Sequence, residues 1–259
     1  MTAPQQLHEM GVAALGRALA GGATSSEEVV RALLARIEAQ RALGAFLHVD
    51  AEGALAGARA ADAQRARGDA GRLLGVPIAH KDVFVTAGMP TTAGSKMLAG
   101  YASPFDATVV ARAAAAGMVC LGKTNLSEFA YSGLGLNPCF GTPVFAHEGG
   151  HDRAPGGSSS GAALAVALGC GPLAMGTDTA GSVRIPAAFN GLVGYRASRG
   201  RYCLQGVFAL APSLDTLGPL ALSVGDCMAL DRVLRGLTDD GHANASPAAD
   251  LRNQVFCTD

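Results

Sequence analysis

The sequence predicts an α/β protein: a mixed, largely parallel sheet covered by helices. Two observations carry that expectation. Segments with the apolar period of a helix alternate with short apolar runs that suit buried strands. The 259 residues include 35 glycines, few aromatics and no tryptophan, a composition for Ala-rich helices packing closely on their neighbours.

Residues 24–40, TSSEEVVRALLARIEAQ, open with a capping box from Ser25 to Glu28 and repeat apolar residues at Val29, Val30, Leu33, Leu34 and Ile37, which predicts an amphipathic helix. The Ala-rich segment 51–67 is also expected to be helical. Residues 75–79, GVPIA, form a buried strand that ends in His80, Lys81 and Asp82. A helix over 106–117 followed by a strand over 118–122, a helix over 161–169 followed by a strand over 172–177, and a helix over 223–237 with Asp226 near its start complete the expected elements. No internal repeat is visible. Residues 241–249, GHANASPAA, are turn-rich, and Val255-Phe256 resembles the start of another strand. The chain is read as one domain over 1–259, with a mainly helical lead-in (1–70), a catalytic core (71–237) and a truncated end (238–259).

Lys and Arg total 20 against 21 Asp and Glu, a net charge of −1, so the sequence carries no electrostatic footprint for nucleic acid or an anionic membrane. The expected partner is a small molecule or another protein. The six scattered cysteines form no C-x-x-C pair and are expected to be reduced thiols of a cytoplasmic protein. The N-terminal residues show no basic stretch followed by an apolar h-region and no apolar run reaches spanning length, so neither secretion nor membrane insertion is expected. No metal or cofactor is implied.

Three motif readings compete around residues 147–182. Residues 157–161, GSSSG, match the nucleophile elbow G-x-S-x-G, but HEGGHDRAPG before them cannot be the strand that an elbow needs. His147, Glu148 and His151 match H-E-x-x-H, but two central glycines and a following proline disfavour the helix that zinc binding requires. The third reading is geometric. A helix over 160–169 rises about 15 Å and a strand over 172–177 returns about 20 Å, so the chain comes back to the edge from which it left. Ser182 can then lie beside Ser158, and Lys81, at a strand end, faces the same crevice.

Serine needs a base, and none of the six histidines sits in a setting that recommends it. Burial lowers a lysine pKa from about 10.4 towards neutrality, and Lys81 follows an apolar strand. Asp82 would oppose that shift, although adjacent strand residues point to opposite faces. In GTDTAGS, residues 176–182, small side chains let successive N–H groups from Thr179 to Ser182 converge on an oxyanion. Asp178 and Arg184 are expected to form an ion pair that holds this turn, and His80 to be a packed neighbour of Lys81. Residues 131–138, YSGLGLNP, either line a cleft or form a surface loop.

GVPIAHKD, APGGSSSGAALAV and GTDTAGSVRIPAAFNGLVGYR, in that order, resemble the amidase signature family, with similarity from about residue 13 to 237. The resemblance implies a Ser-Ser-Lys triad with Lys81 as base, Ser158 as bridging serine and Ser182 as acylated nucleophile. It further implies an oxyanion segment at Thr179, Ala180 and Gly181, a cis bond between Gly157 and Ser158, and local capping by Ser159 and Ser160. Ala180 departs from the family's usual glycine. Family members continue well beyond this chain's end, so the chain is expected to be either a fragment whose C-terminal part and much of its pocket are missing, or a short natural member completed by a partner, as a homodimer or with another subunit. The implied activity is hydrolysis of a carboxylic amide. Residues 74–110 resemble the glutaminase-type A subunit of aminoacyl-tRNA amidotransferases, whereas 131–141 do not. A third possibility is an inactive remnant or interaction module.

Overall fold

The computed structural model describes residues 7–145 and 153–237. The H-E-x-x-H residues 147–151, the turn-rich 241–249 and Val255-Phe256 lie outside the described residues.

Two helices lead in, α1 (Val12–Ala20) and α2 (Ser26–Ala39). The capping box of α2 is formed as the sequence predicts, with the Glu28 N–H donating to Ser25 Oγ at 3.1 Å and the Ser25 N–H to Glu28 Oε2 at 2.8 Å. This satisfies two of the N–H groups that a helix start leaves without partners. The chain continues through β1 (Phe46–Val49), α3 (Ala51–Ala66), β2 (Pro77–Lys81), α4 (Thr108–Ala115) and β3 (Val119–Thr124). It then forms α5 (Ser160–Ala167), β4 (Leu173–Asp178), α6 (Arg184–Phe189), β5 (Val193–Gly194), β6 (Thr216–Ala221) and α7 (Val224–Leu234).

The six strands make one mixed sheet in the order β1-β3-β2-β4-β6-β5. Its centre, β3-β2-β4, is parallel, and the outer pairings are antiparallel. Every residue of β2, β4 and β6 is buried, as expected for strands covered on both faces. The main apolar cluster gathers residues from Val12 in α1 to Leu234 in α7. The Asp226 carboxylate near the start of α7 accepts the Ala13 N–H at 3.2 Å, which ties the two ends of the described chain together.

Three strands were not anticipated. The lead-in is not purely helical, because β1 supplies an edge of the sheet, and β5 and β6 extend its other side. β6 has the sequence TLGPLA, and glycine and proline in mid-strand hide its character. Both residues have a use here. A Cβ on Gly218 would lie 1.8 Å from the Tyr195 carbonyl oxygen, so only glycine lets that backbone pass. The Pro219 carbonyl accepts from the Tyr195 N–H at 3.1 Å, so its missing N–H faces β5, a strand of only two residues.

α5 is buried from Ser160 to Val166 and has no polar face, which suits a helix enclosed by protein. Its small residues allow a close approach. A Cβ on Gly161 would meet the Ala45 carbonyl at 2.3 Å and the Asn125 nitrogen at 2.4 Å. Gly176 does the same on β4, where a Cβ would lie 2.7 Å from Ser159 Oγ. The start of α5 is thereby pressed onto the carboxyl ends of β2 and β4.

Candidate active site

Lys81 is the last residue of β2, and its side chain is completely buried. Its Nζ donates to Ser158 Oγ at 2.7 Å and to Thr177 Oγ1 at 2.7 Å. Both partners are neutral hydroxyls. Burial therefore pushes the lysine pKa down to about 7, against the opposing pull of the Asp178 and Asp215 carboxylates. In its neutral form an amine has a lone pair with which it can accept a proton from a hydroxyl in hydrogen-bond contact.

Asp82, the neighbour that would have kept Lys81 charged, is turned away. It pairs with Lys123 Nζ of β3 at 2.9 Å and accepts from Thr92 through both the backbone N–H, at 2.8 Å, and the hydroxyl, at 2.5 Å. Lys123 also donates to Thr91 Oγ1 at 2.8 Å and to the Pro90 carbonyl at 3.1 Å. His80 is buried on the opposite face from Lys81, next to Cys120, and burial with the nearby Lys123 charge pushes its pKa down to about 3. It is a neutral packing residue.

Ser158 begins the turn that enters α5, and the Gly157-Ser158 peptide bond is cis. The segment is pinned on both sides: the Gly157 N–H donates to the Gly133 carbonyl at 2.8 Å, and the Ser158 carbonyl accepts from the Ser127 N–H at 3.2 Å. Ser182 is brought to the same place by the backbone, since the Ser159 N–H donates to the Ser182 carbonyl at 3.1 Å. Ser182 is 9% exposed, at the boundary between the buried lysine and solvent.

The turn after β4 is organised by Asp178. Its Oδ1 accepts from the Gly181 N–H at 2.8 Å, and its Oδ2 from the Val183 N–H at 3.1 Å. Arg184 closes on it with two contacts of 3.0 Å, and Arg196 approaches to 3.4 Å. Burial alone would raise this carboxyl, but the Arg184 hydrogen bond and the turn N–H groups hold it below the usual range.

The Amidase family model matches residues 28–255. The chain belongs to the amidase family. Among curated relatives, the A subunit of glutamyl-tRNA(Gln) amidotransferase from Cupriavidus necator is 55% identical over 90% of this chain and 46% of its own length. The Burkholderia pseudomallei protein of the same name is 52% identical over 90% of this chain and 47% of its own. The chain thus spans about half the length of the curated relatives it matches. A solved peptide amidase from Stenotrophomonas maltophilia superposes with a TM-score of 0.81 at 36% identity, covering 90% of this chain and 49% of the other. A crystal structure described as an amidase gives a TM-score of 0.81 at 39% identity, covering 88% and 52%.

Set against this amidase fold, two expectations need correction. Gly181 does not offer its N–H to an oxyanion, because Asp178 takes it; it supplies instead a backbone at φ 131°, which favours glycine. Among the described residues, the turn donors without a protein acceptor are the N–H groups of Thr179, Ala180 and Ser182. Ala180 does not take a positive φ, so its extra methyl is accommodated. Ser159 and Ser160 do not cap α5 through their side chains. Ser159 Oγ donates to the Thr177 carbonyl at 3.3 Å, and Ser160 Oγ is buried without a partner.

Residues 131–138 run beside Ser158, where the Gly133 carbonyl holds Gly157, and they expose Tyr131, Leu134 and Leu136. Three polar neighbours escaped the motif reading: Thr177, Lys123 and Asp215. A lysine inside the apolar run VCLGKT was the one signal for Lys123. Asp215 had none, because only the fold brings it 36 residues back to Thr179.

Proposed function

We propose that this chain carries the serine acyl-transfer machinery of an A-subunit-type amidase, which releases ammonia from the side-chain amide of glutamine through an acyl-serine intermediate. The observation that carries the chemistry is the fully buried contact of Lys81 with Ser158. Neutral Lys81 takes the Ser158 proton as Ser158 takes that of Ser182, and Ser182 Oγ attacks the amide carbon. The oxyanion of the tetrahedral intermediate faces the N–H groups of Thr179, Ala180 and Ser182, each of such donors contributing about 3 kcal/mol. The relay returns a proton to the departing nitrogen, ammonia leaves, and water hydrolyses the ester by the same route.

The choice of amide rests on likeness. Relatives named as the A subunit of glutamyl-tRNA(Gln) amidotransferase share 50–55% identity with this chain, against 36% for the peptide amidase. This reverses the order of the two readings in the sequence, where a free-standing amidohydrolase came first. A completing subunit is the matching partner, and the free cysteines among the described residues suit a reducing, cytoplasmic setting. The free-standing amidohydrolase keeps one observation in its favour, the departure of YSGLGLNPCFG from the A-subunit pattern.

Ammonia release from glutamine by the full chain, alone and with charged tRNA plus the other subunits of an amidotransferase, tests the proposal. Glutamine turnover that Ser182→Ala abolishes supports it. Turnover of simple aliphatic or aromatic amides without glutamine turnover favours the second reading. A chain that no serine-directed fluorophosphonate labels is an inactive remnant.

A further inference from the structure

The carboxylate of Asp215 lies just before β6, and all its polar contacts converge on the turn after β4 and the loop that leads to β6. Its Oδ1 accepts from the Thr179 hydroxyl at 2.5 Å, and its Oδ2 accepts from the N–H groups of Leu210 at 2.9 Å and Ala211 at 3.0 Å. No cation is paired with it among the described residues, unlike Asp178, Asp82 and Asp231, which all hold lysine or arginine side chains.

We infer that Asp215 is a positioning residue of the active site: it clamps Thr179, whose backbone N–H is one of the turn donors without a protein acceptor among the described residues. The inference rests on the proposed serine relay. A hydroxyl held at 2.5 Å fixes the first residue of the turn, and a donor displaced by about 1 Å loses on the order of a hundredfold in rate.

A variant series tests the clamp, read by the rate at which a fluorophosphonate labels Ser182 in the full chain, measured across pH, with melting temperature as the check on folding. Thr179→Val removes the clamp, so labelling should slow about tenfold or more with the midpoint of the pH profile unmoved; Thr179→Ser should restore the rate. Asp215→Ala removes the clamp from its other side and should slow labelling to a similar extent. A Thr179→Val protein or a folded Asp215→Ala protein that labels as fast as the parent overturns the inference while leaving the relay standing. A parent chain that is not labelled overturns both.

Discussion

Two lysines are fully buried near the carboxyl ends of the neighbouring strands β2 and β3, and their partners separate their roles. Lys123 has a carboxylate, Asp82, and is a structural ion pair in a dry setting. Burial lowers its pKa, and the Asp82 charge acts against that. Lys123→Met should therefore cost about 3–5 kcal/mol by stranding Asp82, and the double variant Lys123→Met/Asp82→Asn should recover most of the loss; chemical denaturation measures both. Lys81 has only hydroxyls within reach, so its charge is what the site gives up. Lys81→Ala should abolish glutamine turnover and leave the circular dichroism spectrum unchanged. That Lys81, Ser158 and Ser182 come together was expected because each sits in a short motif, and the structure joins Lys81 to Ser158 and the Ser159 N–H to the Ser182 carbonyl. Gly181 misled, since its N–H serves Asp178 three residues earlier, a contact that the same motif permits but does not announce.

Contacts at backbone level decide how much of each element could be read. The helices with amphipathic periods, α2 and α7, were expected within a few residues of their bounds, because burial of one stripe writes itself into the sequence. β1, with four residues, is too short to show a period, and β6 carries Gly218 and Pro219 for reasons that lie on Tyr195. Glycines in helices make the same point in reverse. Gly161→Ala in α5 should destabilise by about 3 kcal/mol or more, since the new methyl meets backbone atoms of Ala45 and Asn125 that cannot yield. Gly57→Ala in α3 meets only Val119 methyls at ordinary contact, and should stabilise by about 0.5–1 kcal/mol. Thermal melting of the two variants gives opposite signs for the same substitution.

At the scale of the whole molecule, β1 and β5 are the edge strands of the sheet among the described residues, and β5 has two residues and one neighbouring strand. Phe189 precedes it at the end of α6, Leu222 follows β6, and Val224 and Met228 lie one turn apart on α7, all four exposed. Concentration-dependent self-association is expected, and Val224→Lys with Met228→Lys should reduce it without lowering the melting temperature, as read by size-exclusion chromatography with light scattering. At the centre of the fold lies an amine whose enclosure lowers its pKa to about 7, in contact with a serine that the backbone holds beside a second. The most direct test is the pH dependence of Ser182 acylation by a fluorophosphonate in the parent chain and in Lys81→Met. In the parent the rate should climb about tenfold per pH unit below a midpoint near 7, the value to which burial brings Lys81, and level off above it as the amine loses its proton. A rate that is flat across that range, or a Lys81→Met profile that matches the parent's, would contradict the account.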